Sequence, residues 1–153
     1  MRPHAALAVT ITTLCALTLA PAVPAQAATP ASTYAHDAFV ATNHQRVRHD
    51  RVKLIRSDCL QGFARMQARR MARKQEIYHQ DLQKILDSCH LNRVGENVAV
   101  GFSSGTSVVN DGWMKSKDHR ANILERRYRR MAIAARKGDD GRWYVSQVFG
   151  RHA

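Results

Sequence analysis

The sequence predicts an α+β domain in which helices are layered on a small antiparallel sheet. Three observations predict it. The chain ends in two strand-like runs, 130–135 and 142–149, flanking Gly138-Asp139-Asp140-Gly141, the turn chemistry of a hairpin. Upstream, 95–101 alternates apolar with small or polar residues between two glycines, so it reads as a short strand carrying Glu96 inward among valines. Before that, Leu60, Ala64, Ala68 and Met71 fall on one face of a helix, and small alanines four apart let a helix lie close against a sheet.

The elements follow in order. Arg2 precedes an apolar run over 5–19, broken by Pro21 and Pro24 before Ala25-Gln26-Ala27, which is the pattern of a secretory signal over 1–27. The run is too short to cross a bilayer, and no later segment approaches the ~20 apolar residues a spanning helix needs. Cys15 follows Leu14 inside the run, where a lipidated cysteine would follow a small residue, so no lipid anchor is expected. Cleavage is expected after Ala27 or Ala28. Residues 28–33 are Ala, Thr, Pro and Ser without periodicity and read as a flexible tail. A first helix is expected over 34–47, with Phe39, Val40 and Val47 near helical spacing and Asn43 and Arg46 on neighbouring turns; His49-Asp50-Arg51 is a connector.

Ser57 or Asp58 caps the second helix. Opposite its apolar stripe stand Arg65, Arg69 and Arg73, with Arg70 and Lys74 on a flank. This helix is expected to end near 76–79, so that Tyr78-His79-Gln80-Asp81 closes it, and a short helical turn follows over 81–86. The strand of Glu96 covers 94–100, and 101–105 is a loop. Thr106 or Ser107 then caps a third helix to about 117, with Val108, Val109 and Trp113 toward the core and Gly112 weakening its regularity. A tight connection after it presents His119.

The chain carries a formal charge of +12, and losing Arg2 with the leader changes this only to +11. Two readings of that excess stand side by side: solubility, or attraction to anionic polymers and acidic lipid surfaces through the arginine face. Export and loss of Cys15 leave Cys59 and Cys89 in an oxidising compartment, where a disulfide is expected. No HExxH or CxxC motif is present, so no zincin or thiolate-metal signature supports those chemistries.

Taken together the motifs resemble the CAP superfamily, also called SCP-like, and within it the small secreted bacterial branch. They are Asn43-x-x-Arg46, then Leu60, Ala64, Ala68 and His79, then Gly95-Glu96-Asn97, then Trp113-x-x-Ser116-x-x-His119-Arg120-x-Asn122-Ile123-Leu124, and Tyr144-x-x-Gln147-x-Phe149-Gly150. They run in order across 34–150, which is taken as the domain. The resemblance implies a three-layer α-β-α sandwich and a shared cavity holding two histidines and two acids. His79, Glu96 and His119 match three of the four. Ser116 stands where the eukaryotic pattern has the second acid, and Asp118 lies at a different helical phase. The cysteine-rich extension of the secretory branch has no counterpart here, so no ion-channel activity is implied.

His79, Glu96 and His119 can be read as a two-histidine, one-carboxylate site, with His79 and His119 as ligands for a divalent metal such as zinc, or as a hydrogen-bonded cluster without metal. Asn97, Asn122 and Ser116 are supporting residues that tie loops or end a helix. Trp113, Trp143, Tyr144 and Phe149 are expected in the core; His36, His44, His49, His90 and His152 at the surface. Three functions follow. The leading one is a secreted, non-enzymatic module binding a lipid or other small ligand, the ligand class coming from the resemblance. The others are a metal-dependent extracellular hydrolase with Glu96 as general base, and a basic envelope-associated polyanion binder.

Overall fold

A four-stranded sheet separates two helical layers, giving the α-β-α sandwich. The computed structural model describes residues 29–152. The expected signal segment, its expected cleavage position and Cys15 lie outside the described residues. The elements are α1 Pro30–Arg48, β1 Ile55–Arg56, α2 Asp58–Lys74, α3 Leu82–Ser88, β2 Leu91–Val100, α4 Gly105–Ser107, α5 Lys117–Leu124, β3 Arg130–Lys137 and β4 Trp143–His152. In space the strands run β1-β3-β4-β2. The C-terminal hairpin is the expected one, and β2 pairs antiparallel along the other side of β4, with Glu96 opposite Val148 and Asn97 opposite Gln147. The sheet is not wholly antiparallel, because β1, not foreseen, adds two residues parallel to β3.

Period-two alternation sorts the strand residues between the layers. Met131, Ile133, Val145 and Phe149 face α1, α5 and the turns around Trp113. Ala132, Ala134 and Val148 face α2 and α3, against Leu60, Ala64, Ala68 and Ile85. Alanines meet on both sides of the α2 contact, which is why that helix sits close to the sheet.

Several expected boundaries differ. The tail expected at 28–33 is helical from Pro30, because Thr29 Oγ1 accepts the Ser32 N–H and proline at the first turn has no amide to leave unpaired. Helix α2 stops at Lys74, where Gln75 turns left-handed at φ 55°, so His79 lies in a connector over 75–81 rather than at a helix end. The third helix expected to 117 is broken into α4, a π-helical turn Val108–Gly112 and a 3-10 turn Trp113–Lys115. Its cap is Ser104, in a reciprocal capping box with Ser107, not Thr106 or Ser107. Gly112 sits at φ −95°, ψ −84°, under the Phe102 ring, which a Cβ would meet at 2.5 Å; the ring takes the space a regular helix would fill. His119 then falls in α5, not in a connection.

Two motif residues of α1 are structural. Asn43 Nδ2 donates to Leu54 O at 3.0 Å and its Oδ1 accepts from Leu54 N–H at 2.8 Å, which fixes the approach to β1. Arg46 is fully buried and donates to Val52 O, Ile123 O and Glu125 O, clamping α1 to the end of α5. Burial holds its pKa down to about 10, with the Arg129 and Arg51 cations adding to the effect. Cys59 and Cys89 are disulfide-bonded, joining the first turn of α2 to the residue after α3.

Candidate functional site

Strand β2 is the edge of the sheet on the side away from β1, and the candidate residues gather around that edge. Alternation turns Glu96 toward the α2/α3 layer and Asn97 toward the α1/α5 layer, so the site wraps the strand rather than lying on one face.

The Glu96 side chain is fully buried and its carboxylate accepts from four donors. His79 Nδ1 reaches Oε2 at 2.9 Å and the Gln80 N–H reaches the same oxygen at 3.2 Å. Gln80 Nε2 donates to Oε1 at 2.6 Å and Ser146 Oγ donates to it at 2.9 Å. A carboxylate only accepts, so Nδ1 of His79 carries the proton and, in the neutral ring, Nε2 keeps its lone pair for an outside partner. The His79 side chain is 57% exposed. Its connector is held from beneath by Gln67, buried in α2, whose Nε2 donates to Tyr78 O, and by Lys74 lying over the Tyr78 ring.

On the other side of the edge, Asn97 Nδ2 donates to His119 O at 3.1 Å and to Gln147 Oε1 at 3.0 Å. Asn122 Nδ2 donates to Asn97 Oδ1 at 2.9 Å and to Glu96 O at 3.1 Å, tying α5 to β2. The His119 ring is not among the partners of Glu96. Burial and the nearby His79 charge hold its pKa below the ordinary value, while Asp118 pulls the other way. With its pKa lowered, the His119 ring is neutral at neutral pH.

Of the expected supports, Asn97 and Asn122 take part as described. Ser116 is the N-cap residue of α5, but its side chain makes no capping bond and is not among the donors to Glu96. Gln80 and Ser146, which sequence reasoning missed, supply three of the four donors to the carboxylate. Trp113, Tyr144 and Phe149 are buried in the core and Trp143 partly so, packing on Tyr34 at 5.1 Å. His36, His44, His49, His90 and His152 are exposed.

A divalent metal fits these residues poorly. Among the described residues no group of three or more His, Cys, Asp or Glu is placed to hold an ion. Glu96 is committed to its donors, which leaves two imidazoles as free ligands, short of the three protein ligands usual for a catalytic zinc.

The same architecture occurs in solved structures. An outer surface protein of Borrelia burgdorferi superposes with a TM-score of 0.68 at 20% identity, covering 75% of this chain and 90% of that one. An extracellular protein containing an SCP domain from Bacillus anthracis gives 0.68 at 22% identity, covering 83% of this chain and 45% of that one. A cysteine-rich secretory protein from Staphylococcus aureus gives 0.68 at 21% identity, covering 80% and 39%. The chain thus spans less than half the length of the last two. No curated protein matches it. Residues 39–149 match the family model described as the cysteine-rich secretory protein family, CAP, and the chain belongs to that family.

Proposed function

We propose that the chain is an exported CAP-domain protein that uses the exposed His79 ring, oriented by Glu96, to hold a small extracellular ligand without converting it. The observation that carries the reading is the state of Glu96. A general base needs a carboxylate oxygen with a free lone pair facing a substrate proton. Here both oxygens accept two hydrogen bonds each from the protein. The carboxylate is spent on orienting the exposed His79 ring, and the group offered outward is its Nε2.

Ile77, 46% exposed, lies two residues before His79 on the same connector. An imidazole beside apolar surface suits an amphipathic molecule, a lipid or a similar small ligand with a hydroxyl or acidic head. Export is supported by the leader pattern of 1–27 and by the relatives described as extracellular or outer surface proteins. The basic surface gives a second, electrostatic contact that the His79 site does not require.

Native mass spectrometry of protein purified from culture medium tests the reading. The expected result is a one-to-one adduct of lipid-like mass that is lost in His79→Ala. Hydrolysis of a protein or nucleic-acid substrate that disappears in Glu96→Gln would overturn it in favour of the hydrolase.

A further inference from the structure

On the side of the molecule away from β2, the edge strand β1 covers only Arg130 and Met131 of β3. Beyond Met131 the outer edge of β3 is open, and the space between α1, α2 and this edge is a groove of about 640 Å³. The consecutive residues Ile133, Ala134, Ala135 and Arg136 all line it, as the edge of a strand does and a sheet face does not. A second groove of about 600 Å³ shares Arg69 and Arg136 with the first and continues along α2 to Arg73 and Lys137. From Gln61 to Arg73 the helix runs about 18 Å, which sets the length of the joined channel.

Its walls are cationic. Arg56, Arg65, Arg69 and Arg136 line the first groove, with no carboxylate among the lining residues; Asp139 alone lines the second. Two surface arginines outside the groove are closely paired, Arg127 with Glu125 at 3.1 Å and Arg142 with Asp140 at 2.7 Å. None of the groove cations has such a partner among the described residues. Arg65 and Arg69, one turn apart, repel each other, and so do Arg69 and Arg73. Arg56 is held in place without a counter-charge: its guanidinium stacks on the Phe39 ring at 4.2 Å and donates to His36 Nδ1 at 3.3 Å. The N-terminus of the nineteen-residue helix α1 opens onto the same groove through Thr29 and Ala31 and adds positive potential.

We propose that this channel is a second binding site, separate from the His79 site, for a linear phosphodiester polymer lying along α2. A chain of phosphates meets the arginines in succession, relieves their repulsion and releases counterions. Shape argues for a polymer over a bilayer. The cations stand in a concave channel whose first groove offers only alanines and the buried Ile133 as apolar lining; the second adds a single exposed apolar side chain, Met66, too little to anchor the face in lipid.

Fluorescence anisotropy with a labelled short oligothymidylate tests the site. The affinity should fall with salt at a log–log slope of about −2, the value for about three phosphates on a single strand. Inorganic polyphosphate, which has no bases, should compete. R69E/R136E should weaken binding by about tenfold or more and flatten the slope; R69Q/R136Q should do the same to a smaller degree. The charge-matched R48E/R126E, outside the channel, should retain most of the affinity. Equal loss in that control would show attraction to net charge alone and overturn the proposal. Failure of polyphosphate to compete, or tighter binding to phosphatidylcholine–phosphatidylglycerol vesicles than to the oligomer, would also overturn it.

Discussion

His119, on α5, and His79, on the connector after α2, come to the edge of β2 from opposite layers. An unfolded histidine titrates near 6.5. Burial first, and His79 second, lower the folded value for His119, so the unfolded chain takes up a proton before the native one does. This group therefore leaves stability intact above pH 6.5 and removes it as the pH falls from there through the lowered native value. NMR titration should find the His119 pKa below 6.5, and His79→Ala should raise it only part of the way, since burial is the larger cause. A native value at or above 6.5, or no response to His79→Ala, would contradict the arrangement. His79, Glu96, Asn97 and Asn122 were legible from their motifs. Gln80 and Ser146 were not: Ser146 meets Glu96 across fifty residues of sequence through the pairing of β2 with β4, and nothing local announces that register.

Among the elements, α2 was legible because its apolar positions keep one helical period over the whole length. The region after Ser104 was not, because one ring, Phe102, packed on Gly112, breaks a pattern that otherwise reads as continuous. Helix α3 has only seven residues and one fully buried side chain, Ile85, so its own packing holds it weakly. The Cys59–Cys89 bond closes its far end onto α2 across a separation of thirty residues, worth about 3–4 kcal/mol in the chain-entropy model. Replacing both cysteines by serine should lower the urea midpoint accordingly. It should also speed amide exchange in α3 and the 75–81 connector more than in β4. Uniform exchange throughout the domain would mean that the bond does not act on this element in particular.

For the whole molecule, the layered architecture was legible because hydrophobic period and turn chemistry agree along most of the chain, while β1 was not, two residues being too few for any alternation to show. Where the folded domain begins bears on export. Ala25 and Ala27 occupy the small-residue positions that follow an apolar run, so cleavage is expected after Ala27 or Ala28. Among the described residues the first with a structural task is Thr29, whose Oγ1 caps α1. Cleavage at either position keeps that cap, whereas trimming past Thr29 would cost about 1 kcal/mol, the usual loss for a missing N-cap. N-terminal sequencing of protein recovered from the medium should therefore start at Ala28 or Thr29, and the same sample should titrate with no free thiol. A chain still beginning at Met1 would end the export argument, and with it the compartment reasoning that predicted the disulfide. A start beyond Thr29 would instead relocate the cleavage site, and that product should melt below a Thr29-containing form.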